Sequence, residues 1–181
     1  MNYGIYKNAR NAAWQCIIDF NIGSLPVKVS NIARDSDITI VKNSKVNILN
    51  SNTPGRTVLQ NNKFYIVYQD NDSVERCRFT IAHELGHIFL GHLIVNNTFS
   101  YNADTEHAAN VFARDLLAPA CVLHELQVLE ANKIAELCNI SLEAATYRAK
   151  RMQELEKRNA YYLHPLEREV ISQFKDFINQ K

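Results

Sequence analysis

The sequence carries almost no net charge. Its 181 residues include 20 lysines and arginines against 19 aspartates and glutamates, which gives a formal net charge of +1. A chain balanced in this way has no global attraction for nucleic acid or for an anionic membrane. The composition therefore argues against a general polyanion-binding protein, and any such binding must come from a local patch.

Long hydrophobic runs are also missing from the sequence. Residues 1–10 contain no apolar stretch of signal-peptide length, and no segment approaches the roughly 18 apolar residues of a membrane span. Hydrophobic residues nevertheless make up 46% of the chain, which suffices for the core of one domain, or of one domain with a small appendage. We expect a cytoplasmic protein without a membrane partner.

Closely spaced cysteine pairs are missing as well. The four cysteines, Cys16, Cys77, Cys121 and Cys138, are widely separated and form no CxxC pair. This spacing argues against a disulfide framework or a cysteine zinc site and favours reduced cysteines that pack in the core. Cys77 lies shortly before the histidine motif described next, but its spacing from His83 fits no ligand or redox scheme.

Residues 83–87, with the sequence HELGH, form an HExxH motif within a run, residues 78–92, whose pattern predicts one continuous helix. Histidines four residues apart lie on one helical face with β-carbons about 5 to 6 Å apart, so both imidazoles can reach one metal ion at about 2.0 to 2.1 Å. Glu84 projects about 60° from the direction of His87, beside the metal position. This placement suits a general base that acts on metal-activated water.

The alternative to a metal site is that the HExxH motif occurs by chance. The residues that flank the motif help to decide between these interpretations. The flanking residues are apolar on almost every side of the predicted helix, as in a helix buried within a domain. Two histidines and a glutamate in such a helix need partners, because unpaired buried polar groups are costly. The motif in this setting favours a metal site, with zinc as the expected cofactor.

A catalytic zinc site normally has three protein ligands, so a third ligand must come from outside the motif. His92 follows His87 by five residues, about 140° around a helix, and is expected to face away from the metal with a capping or supporting role. It is also one residue short of the HExxHxxGxxH spacing of metzincins.

A second predicted helix, residues 104–118, is the better source of the third ligand. Glu106 and Asn110 are four residues apart, so Glu106 can bind the metal while Asn110 hydrogen-bonds a histidine ligand. His107 is a competing ligand or a supporting residue, and Asp104 is a third candidate. Alternatively, Asp104 only caps the helix and Glu106 only favours its dipole. We favour Glu106 because a His2Glu set is a known type of zinc site.

The remaining pattern predicts an α+β fold. An amphipathic helix at 3–20 and a short helix at 29–34 precede strand-like runs at 38–41, 58–60 and 64–68, all before the HExxH helix. We expect a small mixed or antiparallel sheet in a domain at 1–120, followed by a helical region at 121–181 that packs on it.

Within the helical region, residues 133–152 have the pattern of a helix-turn-helix, with a turn at Asn139 and a cap at Ser141. Arg148, Lys150 and Arg151 make its second helix basic, so a DNA-binding regulator is the rival function. Interspersed glutamates and the neutral total charge disfavour direct nucleic-acid binding. We favour a packing or repressor-recognition role for this segment, and a further amphipathic helix is expected after Pro165.

These motifs together resemble the ImmA/IrrE family of metallopeptidases over residues 3–152. The resemblance is carried by a set of short motifs on the two helices: RFTIAHELGH at 78–87, LGH at 90–92, Glu106, AN at 109–110, FA at 112–113 and LLAP at 116–119. It implies a zincin-like fold in which His83, His87 and Glu106 bind zinc and Glu84 is the base. Many members have an ExEAN pattern, whereas this chain has Ala108 at the second glutamate.

The resemblance also implies a function. Members linked to prophages and integrative elements are similar to anti-repressors that cleave a helix-turn-helix repressor. It thus implies a zinc-dependent endopeptidase of the gluzincin type, with a repressor protein as substrate. The alternative is a zincin fold that binds DNA or a repressor with little or no proteolysis.

Two parts of the mechanism are less constrained by the sequence. Residues 64–68 can offer a sheet edge on which an extended substrate pairs, although an ordinary core strand is equally compatible. Candidate oxyanion stabilisers are His107, His124 and Tyr101, and the metal can supply part of that role.

Overall fold

The computed structural model describes residues 3–94, 98–99 and 102–180 and has the expected α+β class. Its elements in chain order are α1 (Tyr3–Asp19), α2 (Val29–Asp35), β1 (Thr39–Lys42), α3 (Asn43–Val46), β2 (Gly55–Gln60), β3 (Lys63–Tyr68), α4 (Val74–Phe89), β4 (Leu93–Ile94), β5 (Thr98–Phe99), α5 (Ala103–Leu117), α6 (Ala120–Glu125), α7 (Ala131–Cys138), α8 (Leu142–Lys157), α9 (Pro165–Gln173) and α10 (Lys175–Asn179). None of the described helices is long and apolar enough to cross a membrane.

The chain forms two compact units. The first contains Met1–Ala9 and Lys28–Ala113, and the second contains Arg10–Val27 and Arg114–Lys181. Compact units need not coincide with domains, so the division at 120/121 stays a prediction.

A three-stranded mixed sheet lies in the first unit, in the order β1-β3-β2. β1 runs parallel to β3, with Thr39 opposite Tyr65, and β2 runs antiparallel to it, with Thr57 opposite Ile66. Of the two interpretations of residues 64–68, the structure agrees with the core strand and not with the sheet edge, because β3 is paired on both sides. Among the described strands, β1 and β2 are the edges of this sheet.

Helix α4 carries the HExxH motif, and both of its ends are capped. At the start, the Ser73 side chain accepts a hydrogen bond from the amide of Arg76 at 3.3 Å, which satisfies a free helix-terminal donor. At the end, Gly91 adopts a left-handed conformation with φ of 68°. Its amide donates to Ile88 O at 3.1 Å, and the amide of His92 donates to His87 O at 3.0 Å. This Schellman motif ends the helix three residues before the predicted position and turns the chain back.

The N-terminal part of α5 packs in the first unit. Ala108 and Val111 form a buried apolar cluster with Ala9, and Leu90 packs against it. The Ala108 side chain is therefore a core residue. The position for which the resemblance implies a second glutamate in many members thus faces an apolar environment in this chain.

The second unit is built from helices, as the sequence predicted for most of it. The chain turns at Asn139, which has a φ of 51°, and the Ser141 side chain caps α8 by accepting from the amide of Ala144 at 3.2 Å. A buried ion pair joins Arg148 of α8 to Asp115 at 3.1 Å. The helix-turn-helix pattern is thus present as α7 and α8.

Candidate metal centre

Three ligand atoms converge between α4 and α5. The Nε2 atoms of His83 and His87 lie 3.0 Å apart. The Glu106 carboxylate lies 3.4 Å from Nε2 of His83 and 3.3 Å from Nε2 of His87. Among the described residues, these three form the group of potential ligands whose atoms all lie within 4.8 Å of one another.

These separations fit a metal ion. Zinc ligands at about 2.0 to 2.1 Å in a tetrahedron lie about 3.3 Å from one another, which matches the two contacts to Glu106. Two nitrogens and one carboxylate oxygen are also the donor set of a His2Glu zinc site. The chemistry of the residues present therefore suits a divalent ion bound by His83, His87 and Glu106.

Asn110 fixes the orientation of His83. The Asn110 Oδ1 lies 3.1 Å from His83 Nδ1, and because a carbonyl oxygen can only accept, Nδ1 is assigned as the donor. In neutral His83 the lone pair then lies on Nε2, toward Glu106 and His87. Glu106 and Asn110, four residues apart on α5, thus both contact the histidines of α4.

His92 contacts His87 from the other side. Their Nδ1 atoms lie 2.9 Å apart, so one imidazole donates to the other. If His87 donates, its Nε2 carries the lone pair that a metal needs. The expectation that His92 faces away assumed a continuous helix. The Schellman motif at Gly91 instead ends the helix and returns His92 to His87.

Burial keeps the three imidazoles neutral. It lowers the pKa of His87 to about 3, and the neighbouring His83 and His92 act in the same direction. Burial also lowers the pKa of His83, although Glu106 opposes this, and the pKa of His92 is lowered by burial and by His83. Neutral imidazole is the form that binds a metal ion.

Glu84 lies beside these ligand candidates and is held by strand β2. Its side chain is buried, with only 4% of the residue exposed. The hydroxyl of Thr57 donates to Glu84 Oε2 at 2.7 Å. Burial raises the pKa of Glu84 to about 7, although hydrogen bonds from the Thr57 side chain and backbone act against it. The carboxyl is thus poised near the pKa that suits a general base at neutral pH.

The approach of β2 to α4 requires a glycine at position 55. A Cβ atom built on Gly55 would lie 2.3 Å from Cγ2 of Thr80 and 3.6 Å from Cγ of Glu84. Any side chain there would push the strand away from the helix. Gly55 therefore allows Thr57, two residues further along, to reach Glu84.

A cleft of about 420 Å³ opens onto the centre. Its walls come from the segment around the start of β2, from α4 and from α5. The lining residues are Asn52, Thr53, Pro54, Gly55, Arg56, Phe79, Thr80, His83, Glu84, Glu106 and Asn110. His83, Glu106 and Glu84 thus line the same cavity.

Asn43 shapes the loop that forms one wall of this cleft. Its Oδ1 accepts from the amides of Ile48 and Leu49, each at 3.0 Å, and its amide group donates to Gln69 at 3.1 Å. Gln69 in turn donates to Asn50 O at 2.9 Å. Side-chain hydrogen bonds therefore order the segment between α3 and β2.

The other sequence candidates lie elsewhere. His107 and Asp104 do not belong to the ligand group, and Nε2 of His107 is buried without a hydrogen-bond partner in the described structure. His124 is in the second unit, where it stacks on Tyr161 with ring centroids 3.9 Å apart. Tyr101 lies outside the described residues.

Two residues at the centre were missed by the reasoning from sequence, Thr57 and Arg56. Strand alternation places Thr57 on the same face as Gly55 and Leu59. A polar residue on an inward face needs a partner, which was the available signal. Arg56 carried no such signal, since it is exposed.

Cys77 has an ordinary structural role. Its thiol donates to Gln69 O at 3.2 Å, and burial together with Asp72 and Asp70 raises its pKa. All four cysteines are free. A reactive thiolate is therefore not favoured at this position.

The chain matches a known protein family. No curated protein matches the chain. Residues 33–150 match the family model Peptidase_M78, described as the IrrE N-terminal-like domain. The match contains α4 and the ligand candidates on α5, and it spans most of the chain. The protein therefore belongs to the ImmA/IrrE family of metallopeptidases.

Proposed function

We propose that this protein is a zinc-dependent endopeptidase of the gluzincin type, with His83, His87 and Glu106 as zinc ligands and Glu84 as the general base. One observation carries the proposal. Three neutral or anionic ligand atoms converge at separations of 3.0 to 3.4 Å beside a buried carboxylate that opens onto the same cleft.

The chain's own residues account for proton transfer and orientation. Zinc, when bound, would supply Lewis acidity that polarises a peptide carbonyl and acidifies water. Glu84 takes the proton from the attacking water and returns it to the nitrogen of the departing amine. Asn110 and His92 hold the imidazoles of His83 and His87 in the orientation that directs Nε2 into the centre.

The substrate backbone is best placed along strand β2. β2 is an edge of the sheet, and Gly55 and Arg56 at its start line the cleft. An extended peptide can pair with the free edge through backbone hydrogen bonds. Residues 64–68 cannot take this role, because they form the central strand, and residues 55–60 are proposed in their place.

The substrate we propose is a helix-turn-helix repressor. The support is the family resemblance to anti-repressors of prophages and integrative elements, and a cytoplasmic location belongs to the same proposal. Fold-level likeness alone does not identify a substrate, so the choice of repressor needs its own test.

A DNA-binding regulator is the second candidate, because α7 and α8 have helix-turn-helix order. The contacts of the arginines on α8 argue against this function. Arg148 is buried against Asp115 and also donates to Arg114 O at 2.7 Å. Arg151 pairs with Glu154 at 2.8 Å. These arginines are engaged within the unit and offer little to a phosphate backbone.

The substitution Glu84→Gln tests the proposed base. It keeps the size of the side chain and removes its ability to take a proton. We expect unchanged zinc content and a loss in kcat/KM of at least about 100-fold on a co-encoded repressor and on a peptide library. Glu75→Gln, on the first turn of the same helix, is the matched control and should cleave normally.

Each outcome has a definite meaning. Cleavage by Glu84→Gln at the rate of the unaltered protein would exclude Glu84 as the base. Cleavage of library peptides without cleavage of the repressor would keep the peptidase and exclude the substrate. DNA affinity with a steep salt dependence, in a protein without peptidase activity, would favour the regulator.

A further inference from the structure

We propose that Thr57 is a positioning residue that orients the Glu84 carboxylate for proton transfer. The inference rests on the proposed function, because it assigns a role toward the proposed base. Thr57 is not part of the HExxH motif and lies 27 positions before Glu84 in the sequence. The Thr57 hydroxyl is hydrogen-bonded to Glu84, and it acts through that carboxylate.

The contact is short and protected from water. The Thr57 hydroxyl donates to Glu84 Oε2 at 2.7 Å, within the range of a strong hydrogen bond to a carboxylate. Thr57 is 3% exposed and Glu84 is 4% exposed. A buried donor at this distance restricts the rotation of the Glu84 carboxylate, because no water can replace it.

The anchor for this donor is rigid. Thr57 is opposite Ile66 in the β2–β3 ladder, and Ile66 is completely buried. Threonine is branched at Cβ, so its χ1 angle is restricted and the hydroxyl has a defined direction. The position of the Glu84 carboxylate is therefore tied to the backbone of β2.

The same strand is the proposed template for the substrate. A peptide paired with β2 and a carboxylate anchored to β2 are both held by the same strand. Their positions relative to each other are therefore restricted. Small displacements of reacting groups cost large factors in rate. A hydroxyl at position 57 thus has a catalytic consequence beyond satisfying a buried carboxylate.

The pair Thr57→Val and Thr57→Ser separates orientation from packing. Valine keeps the shape and removes the hydroxyl, whereas serine keeps the hydroxyl and removes a methyl group. We expect Thr57→Val to lower kcat by about 10-fold to 100-fold, the range for residues that support an active group, with KM within about threefold. Zinc content should not change, and Thr57→Ser should recover most of kcat. Thr39→Val on β1 is the matched control.

A kinetic double-mutant cycle distinguishes positioning from a structural effect. If Thr57 acts through Glu84, Thr57→Val should have no further effect in the Glu84→Gln background, measured in single turnovers with excess enzyme. An equal loss in both backgrounds would overturn the inference. Unchanged kcat in Thr57→Val would do the same.

Failure of this inference is separable from failure of the proposed function. A fully active Glu84→Gln variant would remove the proposed base, and the role of Thr57 with it. An inactive Glu84→Gln variant together with a fully active Thr57→Val variant would remove only the role of Thr57. If Thr57→Val does not fold, Thr57→Ala compared with Thr57→Ser provides the same contrast.

Discussion

At the scale of single residues, the ability of the centre to bind a metal depends on which nitrogen of each imidazole is engaged in a hydrogen bond. His83 Nδ1 contacts Asn110, and His87 Nδ1 contacts His92. Each contact leaves Nε2 directed toward the carboxylate of Glu106. Helical spacing in the sequence predicted which side chains share a helix face. The contact of His92 with His87 depends instead on the turn at Gly91, which helical spacing does not predict.

The stability of the protein should depend on pH because of another buried carboxyl group, that of Glu167, which is 4% exposed. Burial raises its pKa in the folded protein, against hydrogen bonds from the amides of residues 162–164. The folded state therefore binds the proton more tightly than the unfolded state. The contribution of Glu167 to stability is complete at pH values below its unfolded pKa and decreases as pH rises through the folded pKa.

Glu167→Gln should remove this dependence while keeping an acceptor for the amides. We expect the free energy of unfolding, measured by urea denaturation between pH 4 and pH 7 (about the range set by ordinary carboxyl pKa values), to decline less in the variant. The neighbouring exposed residue Glu169 supplies the control, Glu169→Gln. Parallel pH profiles for the unaltered protein and Glu167→Gln would refute the assignment.

At the scale of elements, the sequence predicted those parts of the fold that local signals determine. Helix α4, the turn at Asn139 and the cap at Ser141 all follow from residues adjacent in the chain. The order of the strands did not follow, because β-pairing joins distant residues. For β3 the sequence left an edge and a core position open, and the structure places it in the centre, with β2 as the edge at the cleft.

The packing of β2 on α4 gives a prediction at Gly55. Gly55→Ala should force its new methyl group against Cγ2 of Thr80, 2.3 Å away. We expect a loss of about 1 to 3 kcal/mol in the free energy of unfolding, as for other overpacked sites. We also expect reduced kcat, because Thr57 and Glu84 separate.

A second substitution tests whether that clash is the cause. Thr80→Ser removes the Cγ2 atom, so the double variant Gly55→Ala with Thr80→Ser should regain part of the lost stability. Urea denaturation of the four proteins measures the coupling. If the two substitutions lowered the free energy of unfolding additively, residue 55 of β2 and Thr80 of α4 would not be in contact.

At the scale of the whole molecule, charge and helix order pointed to different functions. The net charge of +1 disfavours polyanion binding, whereas α7 and α8 have helix-turn-helix order. The structure explains part of this conflict, since Arg148 forms an internal ion pair with Asp115. Sequence pattern alone cannot show that a basic residue on a helix is buried.

Because the Arg148–Asp115 pair is buried, we expect substitution of Arg148 to lower the stability of the protein and not its affinity for DNA. Arg148→Met leaves Asp115 buried and unpaired, which should lower the free energy of unfolding by about 3 to 5 kcal/mol. Adding Asp115→Asn should recover part of the loss. Lys150→Met, an exposed position on the same helix, is the control. A normal stability for Arg148→Met with reduced DNA affinity would contradict this account.

The most direct test of the central claim is the zinc affinity of the purified protein, measured by chelator competition with metal content determined in parallel. The account predicts one zinc ion per chain and at least about a 100-fold loss of affinity in Glu106→Ala. Asp104→Ala, in the first turn of the same helix, should bind zinc normally. Unchanged affinity in Glu106→Ala, or a comparable loss in Asp104→Ala, would contradict the assignment of Glu106 as the third ligand.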